Sequence, residues 1–338
     1  MSPVVRGAVL AAVALVVLAG CAPGSSPGGE PTEPAASGPP VPGGYDRIGN
    51  LPASEASGVV ASRQWPGVFW AHRDSGRGAR ATLYAFRIRR GRLVDLGPGT
   101  GFRRVALPGL DNRDWEDIAA DDDGHLWLGD IGDNGWDRTD TAVHKIAEPD
   151  PYTATSAQIL ATYPYRWPED HCDCPGGNAE SLLVVAGVPY LVSNEDQPGL
   201  FGFATLSPDE PNRLEEVGAL RPPRGGFPDL PTGADLSTDR RRLAVATDGR
   251  GVYVYRTPRT GLSGRELVAD LIGRPPAFHQ RYRRDGGYEQ TEGVAFVPRR
   301  HDLLLVSEDT DMLYFPDWFY ERGDRPVHSS PSTSSTAG

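Results

Sequence analysis

One sequence pattern occurs five times along this chain, and this repeat constrains the fold more than any other feature. Each copy runs from a small or acidic residue into a short apolar segment: EASGVVAS, DWEDIAA, GNAESLLVV, PTGADLS and QTEGVAF. A second apolar segment follows each of these and ends on an acid, as in VFWAHRD, HLWLGD and LAVATD. Third segments such as LYAFRI and VYVYR alternate apolar and polar residues, which is typical of half-buried strands.

The number of strands per copy indicates how the copies assemble. With a less regular fourth stretch, such as QILATYPYRW, each copy holds four short strands, and such units around a centre are typical of a β-propeller. The sequence therefore predicts an all-β fold, a β-propeller with five recognisable four-stranded blades, or six if a long connection hides one. A β-sandwich is the rival fold, but it gives no reason for a five-fold repeat. Residues 45–50 are predicted to pair with the last unit, because an unpaired edge at the closure invites aggregation.

Acidic residues mark corresponding points of the copies, and propeller geometry explains why. We align the copies on Ser57, Glu116, Glu180, Asp235 and Glu292. In a propeller, the innermost strand of a blade starts, and the next strand ends, at the same end of the central channel. The four acids of this set are therefore predicted to surround one mouth. A wider ring of acids is predicted around them: Asp74, Asp130, Asp133, Glu195, Asp196, Asp248, Glu308 and Asp309.

Crowded carboxylates repel one another, so this mouth is expected to hold a counter-charge. Calcium is the economical candidate, since it takes six to eight oxygen ligands from carboxylates, amides and carbonyls. No segment resembles an EF-hand loop, so the site would be assembled from several blades. The predicted ligands are Glu116, Glu180, Asp235, Glu292, Asp130, Asn134, Asn194 and Glu308. Two alternatives stay open: the acids cap turns and face water, or they bind a cationic ligand or partner.

The amino terminus has the features of an export and lipid-attachment signal. Residues 1–20 contain an arginine followed by GAVLAAVALVVLAG, an uncharged run that is too short for a transmembrane helix and typical of a signal peptide. The run leads into LAGC, which resembles a bacterial lipobox, so Cys21 is predicted to be acylated. The protein is then anchored by its lipid to the cell membrane, on the extracytoplasmic face. An ordinary cleaved signal peptide is the alternative.

Composition sets the remaining boundaries and excludes one class of partner. Residues 21–44 are rich in proline, glycine and serine and are predicted to form a flexible tether behind the lipidated cysteine. Residues 45–325 form the predicted propeller domain, and residues 326–338 a disordered tail. The net charge of −11 argues against nucleic acid, because phosphate binding needs a basic surface.

Two cysteines remain once Cys21 is acylated. Cys172 and Cys174 lie in the segment HCDC, and in an exported protein two neighbouring cysteines favour a disulfide. A bridge across a single residue closes a small, strained loop. Free thiols stay an alternative, as does a metal or redox site that includes His171 and Asp173.

Support for nucleophilic catalysis is weak. The chain contains no G-x-S-x-G elbow. His72 precedes Asp74 by two residues, and we interpret it as a surface or core histidine, with a general base as the alternative. Trp115 and Trp136 flank the acids, and blade packing is favoured for both over a role in lining a ligand site.

Several segments together resemble a group of exported bacterial β-propeller proteins. They are SGVVASRQWPGVFWAHRDSG, DWEDIAADDDGHLWLGDIGDN, NAESLL, TGADLS and TEGVAF, and that group carries motifs like W-x-x-N-D-S-G, D-W-E-D-I-A and G-D-I-G-D-N. The resemblance covers most of residues 55–310 and implies a propeller fold and export. Arg73 departs from the pattern, which has asparagine there. More distantly, the layout is similar to calcium-dependent propeller hydrolases such as gluconolactonases and paraoxonases, which implies a cation held in the mouth by acids and asparagines.

These observations predict a binding or scaffold module rather than a defined enzyme. Its partners would be the membrane, through the lipid anchor, and an unknown protein or small molecule at the acidic, calcium-occupied mouth. The alternative is a metal-dependent hydrolase of esters, lactones or phosphate esters that uses the ion as a Lewis acid.

Overall fold

A computed structural model describes most of the region predicted to fold. The described residues are 44–53, 55–75, 80–96, 101–169, 171, 177–223, 226–227, 229–249, 251–282 and 290–317. The predicted signal peptide, the lipidated Cys21, nearly all of the tether, the cysteines Cys172 and Cys174, and the tail lie outside them. Within the described residues, no helix combines the length and apolar character that a membrane span requires.

The strands group into five blades, in agreement with the predicted fold. A short strand, β1 (Asp46–Asn50), precedes the first blade. Blade 1 contains β2 (Ala56–Ala61), β3 (Val68–Arg73), β4 (Thr82–Arg89), β5 (Arg92–Val94) and β6 (Phe102–Ala106). Blade 2 contains β7 (Trp115–Ala120), β8 (His125–Asp130), β9 (Ala142–Ala147) and β10 (Ile159–Arg166). Blade 3 contains β11 (Ala179–Val185), β12 (Val188–Ser193), β13 (Gly199–Phe203) and β14 (Asn212–Ala219).

The last two blades complete the ring. Blade 4 contains β15 (Pro231–Leu236), β16 (Arg242–Thr247), β17 (Gly251–Arg256) and β18 (Phe278–Arg281), with the helix α1 (Gly264–Ile272) in its last connection. Blade 5 contains β19 (Thr291–Phe296), β20 (Leu303–Ser307) and β21 (Asp311–Phe315). Its fourth strand is β1, which pairs antiparallel with β21. The predicted pairing of residues 45–50 with the last unit is therefore confirmed.

The innermost strands form a closed ring around a central axis. Each of β2, β7, β11, β15 and β19 contacts the next, and β19 contacts β2. Their apolar side chains are buried because neighbouring blades cover them. Blades 5 and 1, for example, share a core that includes Val59, Phe69, Val306 and Tyr314. This all-β ring, with five blades in the described residues, is a β-propeller.

One departure from a regular propeller joins two blades at their outer edges. The outer strands β10 and β14 pair in parallel, with Tyr165 opposite Asn212. Blades 2 and 3 consequently form one continuous sheet of eight strands. Nothing in the repeat predicted this pairing, because it joins the least regular strand of each copy.

The axis of the ring is closed by small residues and one carboxylate. A side-chain carbon on Gly233 would lie 3.0 Å from the α-carbon of Gly293, so the strands approach closely there. Asp117 is fully buried beside them. Its carboxylate accepts backbone N–H bonds from Leu182 at 2.8 Å and Ala234 at 3.1 Å, and thereby connects blades 2, 3 and 4.

Candidate functional site

A β-bulge near the start of each innermost strand determines which residues face the mouth. In β7, Trp115 pairs with Asp130 and Asp117 with Gly129, which leaves Glu116 as the extra residue. The same shift leaves Glu180 in β11, Thr232 in β15 and Glu292 in β19 as extra residues, and β2 has its irregularity between Ser57 and Val59. All five positions line one cavity, and we call them the inner ring: Ser57, Glu116, Glu180, Thr232 and Glu292.

The predicted place of Asp235 in this ring is wrong. Thr232 takes that position, and Asp235 follows it by three residues, roughly 10 Å further along the strand. The Asp235 carboxylate accepts the backbone N–H of Phe296 at 2.7 Å, at the far end of β19. The error arose because the copies were aligned on the acidic residue, whereas the bulge that sets the register carries threonine in blade 4.

The hydroxyl residues of the inner ring have a different role from the acids. The Ser57 hydroxyl donates to the carbonyl of Glu116 at 2.5 Å, and the Thr232 hydroxyl donates to the carbonyl of Thr291 at 2.5 Å. Each bond ties one innermost strand to the next. The mouth therefore has carboxylates from blades 2, 3 and 5 and interblade hydroxyl bonds at blades 1 and 4.

The residues that follow the second strand of each blade form a second layer of the mouth. Asp74, Asn194, Asp248 and Glu308 occupy these positions and line the cavity. In blade 2 the residue that follows the second strand is Ile131, one residue after Asp130.

The placement of Asp130 at the mouth is consequently also wrong. Its carboxylate is buried and pairs with Arg138 at 2.7 Å, away from the residues that line the cavity. The Asp130 carboxylate also accepts the backbone N–H of Asp114, so it positions the residue that precedes the innermost strand of blade 2.

Other acids of the predicted wider ring serve turns or solvent. The Asp133 carboxylate accepts backbone N–H bonds from Asp137 and Arg138, both at 3.0 Å. Glu195 lies 3.2 Å from the ring of His171. Asp196 and Asp309 are exposed. The turn-capping alternative thus describes Asp133, whereas the acids that line the cavity lie among other carboxylates.

The cavity at the mouth has a volume of about 320 Å³, which is the size of a small-ligand site. Seven carboxylates line it: Glu55, Asp74, Glu116, Glu180, Asp248, Glu292 and Glu308. The amides of Asn134, Asn194 and Gln290 add oxygen and nitrogen atoms, and no arginine or lysine among the described residues lines it. Of the eight predicted ligands, six therefore share the cavity, and Asp130 and Asp235 do not.

Three carboxylates converge at one side of this cavity. Oxygen atoms of Asp74, Asp114 and Glu116 all lie within 4.8 Å of one another. Glu116 is only 7% exposed, and the buried Oδ1 of Asp74 has no hydrogen-bond partner. A buried carboxylate without a donor is costly, so this cluster requires protons or a cation. Asp114 was missed in the sequence, although it precedes Glu116 by two residues and so shares its strand face.

Burial and mutual repulsion raise the pKa of these carboxylates. Burial and then the charge of Asp114 raise the pKa of Asp74 to about 7. Burial raises the pKa of Glu180 to about 8, with the charge of Asp248 adding to it. Burial and the charge of Glu180 raise the pKa of Glu292 to about 9 and hold that of Glu116 well above its usual range. Without a counter-charge the mouth therefore retains protons at neutral pH.

The residues weighed for catalysis or ligand contact lie away from this cavity. His72 is fully buried, with its ring 6.0 Å from that of Trp115, and burial lowers its pKa to about 4. Trp115 is itself fully buried in the core between blades 1 and 2. Trp136 is partly exposed and does not line the cavity.

Comparisons with known proteins identify neither a family nor a function for this chain. No family model and no curated protein sequence matches this chain. Among solved structures, the chain is similar to the β-propeller domain of Cps50 (Swd1) from Myceliophteria thermophila, with 10% identity and a TM-score of 0.38 over 80% of this chain and 99% of that one. A similarity this low adds nothing to the architecture shown by the strands.

Proposed function

We propose that this β-propeller is a lipid-anchored, extracytoplasmic binding module that holds a calcium ion at its acidic mouth. Asp74, Asp114 and Glu116 would hold the ion, and the adjoining cavity would take the ligand. The observation that carries the proposal is the carboxylate of Asp74, whose buried Oδ1 has no hydrogen-bond partner and which Asp114 and the buried Glu116 approach.

The geometry of the cluster fits a calcium ion. Calcium–oxygen bonds are roughly 2.3–2.6 Å, so two ligands on opposite sides of one ion lie about 5 Å apart. The three carboxylates meet that limit. The cavity supplies further oxygens on Glu180, Glu292 and Asn134, and calcium prefers such carboxylate and amide ligands.

A thermal melt in chelator and in calcium tests the ion. Bound calcium offsets the repulsion between the mouth carboxylates, so calcium at about 100 times its Kd should raise the unfolding free energy by roughly 2.7 kcal/mol. Glu116→Gln should lose most of that response, because a neutral amide is a weaker ligand. Asp123→Asn, at an exposed acid of the turn between β7 and β8, is the matched control and should respond like the wild type. A wild-type midpoint that is indifferent to calcium would falsify the calcium proposal.

The anchor is tested independently of the mouth. Mass spectrometry of the mature protein should find acylated Cys21 at its amino terminus. A mature terminus at any other residue, without lipid, contradicts the anchor and leaves the calcium site unaffected.

A metal-dependent hydrolase is the second candidate, and the cavity at the mouth supports it. The cavity adjoins the carboxylate cluster and is also lined by Glu308, which is exposed, so solvent and substrate reach the cluster. A bound ion would polarise the oxygen of an ester, lactone or phosphate ester. Glu180 and Glu292 line the same cavity and would be the bases, because a bound cation favours their ionised forms. Calcium-dependent turnover of such substrates, lost in Glu116→Gln, distinguishes this candidate from a binding module.

A further inference from the structure

Exposed arginines gather at the end of the propeller opposite the mouth. Arg89, Arg90 and Arg92 lie at the tight turn between β4 and β5, where Arg89 of β4 is opposite Arg92 of β5 in the strand register. Arg299 and Arg300 lie in the turn between β19 and β20, beyond the pair Phe296 and Leu303. All five side chains are exposed.

The two turns belong to neighbouring blades and meet around Tyr314. A side-chain carbon on Gly91 would lie 2.9 Å from the Tyr314 ring, so the β4–β5 turn packs directly against blade 5. The Tyr314 hydroxyl donates to Asp302, and Arg300 lies 3.7 Å from the same carboxylate. We call the five arginines around Tyr314 the arginine patch.

The patch keeps a net positive charge. Within the part of the chain that the structure describes, Arg89, Arg90, Arg92 and Arg299 form no ion pair, and only Arg300 has an acid, Asp302, within reach. The exposed acids beside the patch are Asp46, Asp95 and Asp317, and the same end of the ring carries exposed Asp122, Asp123 and Asp239 in the turns of blades 2 and 4. Five guanidinium groups of the patch thus face four carboxylates, one of them the buried Asp302, on a protein whose total charge is −11.

The amino-terminal segment enters the propeller beside this patch. Asp46 pairs with Tyr314, and the ring of Tyr45 lies 5.3 Å from that of Phe315. A tether of the length predicted here typically spans roughly 25 Å. If Cys21 carries the lipid, the patch is the part of the propeller that the tether holds nearest to the bilayer.

We propose that the arginine patch binds the phosphate groups of anionic phospholipids, so that the acidic mouth points away from the membrane. Guanidinium groups form paired hydrogen bonds to phosphate oxygens and are weakly hydrated, which suits such contacts. The orientation rests on the lipid anchor of the proposed function, whereas the affinity of the patch for lipid does not.

The negative mouth does not prevent this contact. Six-residue strands separate the two ends of a blade by roughly 20 Å. The Debye length at physiological ionic strength is about 8 Å, so the mouth carboxylates are screened from a surface that the patch touches. Each arginine near an anionic bilayer should strengthen partition about fivefold.

Vesicle flotation of the mature chain without its lipid tests the patch directly. The ring of blades closes within residues 44–317, so residues 22–338 keep the whole propeller. This chain should float at about 0.15 M salt, where the mouth carboxylates are screened, with vesicles that contain phosphatidylglycerol and should stay behind with phosphatidylcholine alone. Raising the salt should release it.

Two sets of matched variants locate the surface. Arg89→Gln, Arg90→Gln and Arg299→Gln together should reduce partition roughly a hundredfold. Arg80→Gln, Arg166→Gln and Arg213→Gln remove the same charge from equally exposed positions outside the patch and should leave partition within about twofold of the wild type. Thermal melts in calcium should be the same for both sets, which separates this test from that of the mouth.

Three outcomes overturn the proposal. The first is equal flotation with zwitterionic and anionic vesicles, and the second is no flotation of the wild type with anionic vesicles at about 0.15 M salt. The third is an equal loss in both variant sets. A patch that captures an acidic protein from the cell envelope, but no phosphatidylglycerol vesicles, belongs to the second outcome and identifies a protein partner instead.

Discussion

At the scale of single residues, Asp117 shows how the axis of the ring is stabilised. Its carboxylate accepts the N–H groups of Ile118, Leu182 and Ala234, and it has no contact with water. Burial raises the pKa of Asp117 well above its usual range, while these N–H bonds act in the opposite direction. The side chain supplies acceptors for N–H groups of the innermost strands of blades 2, 3 and 4.

Asp117→Ala should therefore be strongly destabilising. The change leaves three buried N–H groups without an acceptor, and each costs about 1–3 kcal/mol. We expect a loss of at least about 3 kcal/mol in unfolding free energy, measured by denaturant titration. Asp123→Ala, at an exposed turn, should change it by less than about 0.5 kcal/mol. Equal stability of the two variants would show that Asp117 is dispensable to the ring.

The mouth carboxylates also predict how stability depends on pH. A carboxyl whose pKa is raised in the folded state binds more protons than the unfolded chain, so stability falls as pH rises toward the folded pKa. For Glu180 and Glu292 the fall begins near the unfolded pKa of about 4.3 and ends near the folded values of about 8 and about 9, so stability is still falling between about pH 7 and pH 9. Burial lowers the pKa values of His72 and His144 to about 4. Their titration changes the unfolding free energy only below about pH 6.5, so it does not contribute between pH 7 and pH 9.

Calcium should flatten this dependence, because a bound cation compensates the ionised forms. We expect the melting midpoint in chelator to fall steadily from about pH 7 to about pH 9 and to fall less in calcium. Glu292→Gln should reduce the fall in chelator, since it removes one of the groups that titrate there. A flat profile in chelator contradicts the raised pKa values, and parallel slopes with and without calcium contradict cation binding at these carboxylates.

At the scale of elements, the sequence predicted the strands well and their register poorly. Apolar runs that recur in the same order are enough to predict five blades, because each blade needs the same buried faces. Glu116, Glu180 and Glu292 were placed correctly at the mouth, since each is the extra residue of its bulge. The repeat also predicted that β1 would complete blade 5.

The two misplaced residues have separate physical causes. In β15 the bulge carries Thr232, and a bulge turns all later side chains to the other face, so aligning the copies by their acids wrongly put Asp235 at the mouth. In blade 2 the position after the second strand, which lines the cavity in the other blades, belongs to Ile131, and Ile131 is buried in the core. The helix α1 was missed as well, because it lies in a connection that only blade 4 possesses.

At the scale of the whole molecule, the propeller has two ends of different chemistry. One end has seven carboxylates around a cavity, and the other has the arginine patch beside the point where the chain enters. Blades of alternating strand direction produce this separation, since each turn lies at one end or the other. The point where the chain enters the ring, at Tyr45 and Asp46, and the cavity are consequently at opposite ends of one ring.

Closure of that ring is a property of the complete set of blades. Truncation after Pro276 removes β18 to β21. The strand β19 is then missing between β15 and β2, and β1 loses β21, the strand with which it pairs. Buried faces of blades 4 and 1 would then meet water. We expect the truncated chain to show no cooperative melt by circular dichroism. Truncation after Arg325 removes only the predicted tail and should melt like the full chain. A cooperative melt of the shorter chain, with the strand signal of the remaining blades intact, would show that the blades fold independently and that ring closure contributes little to stability.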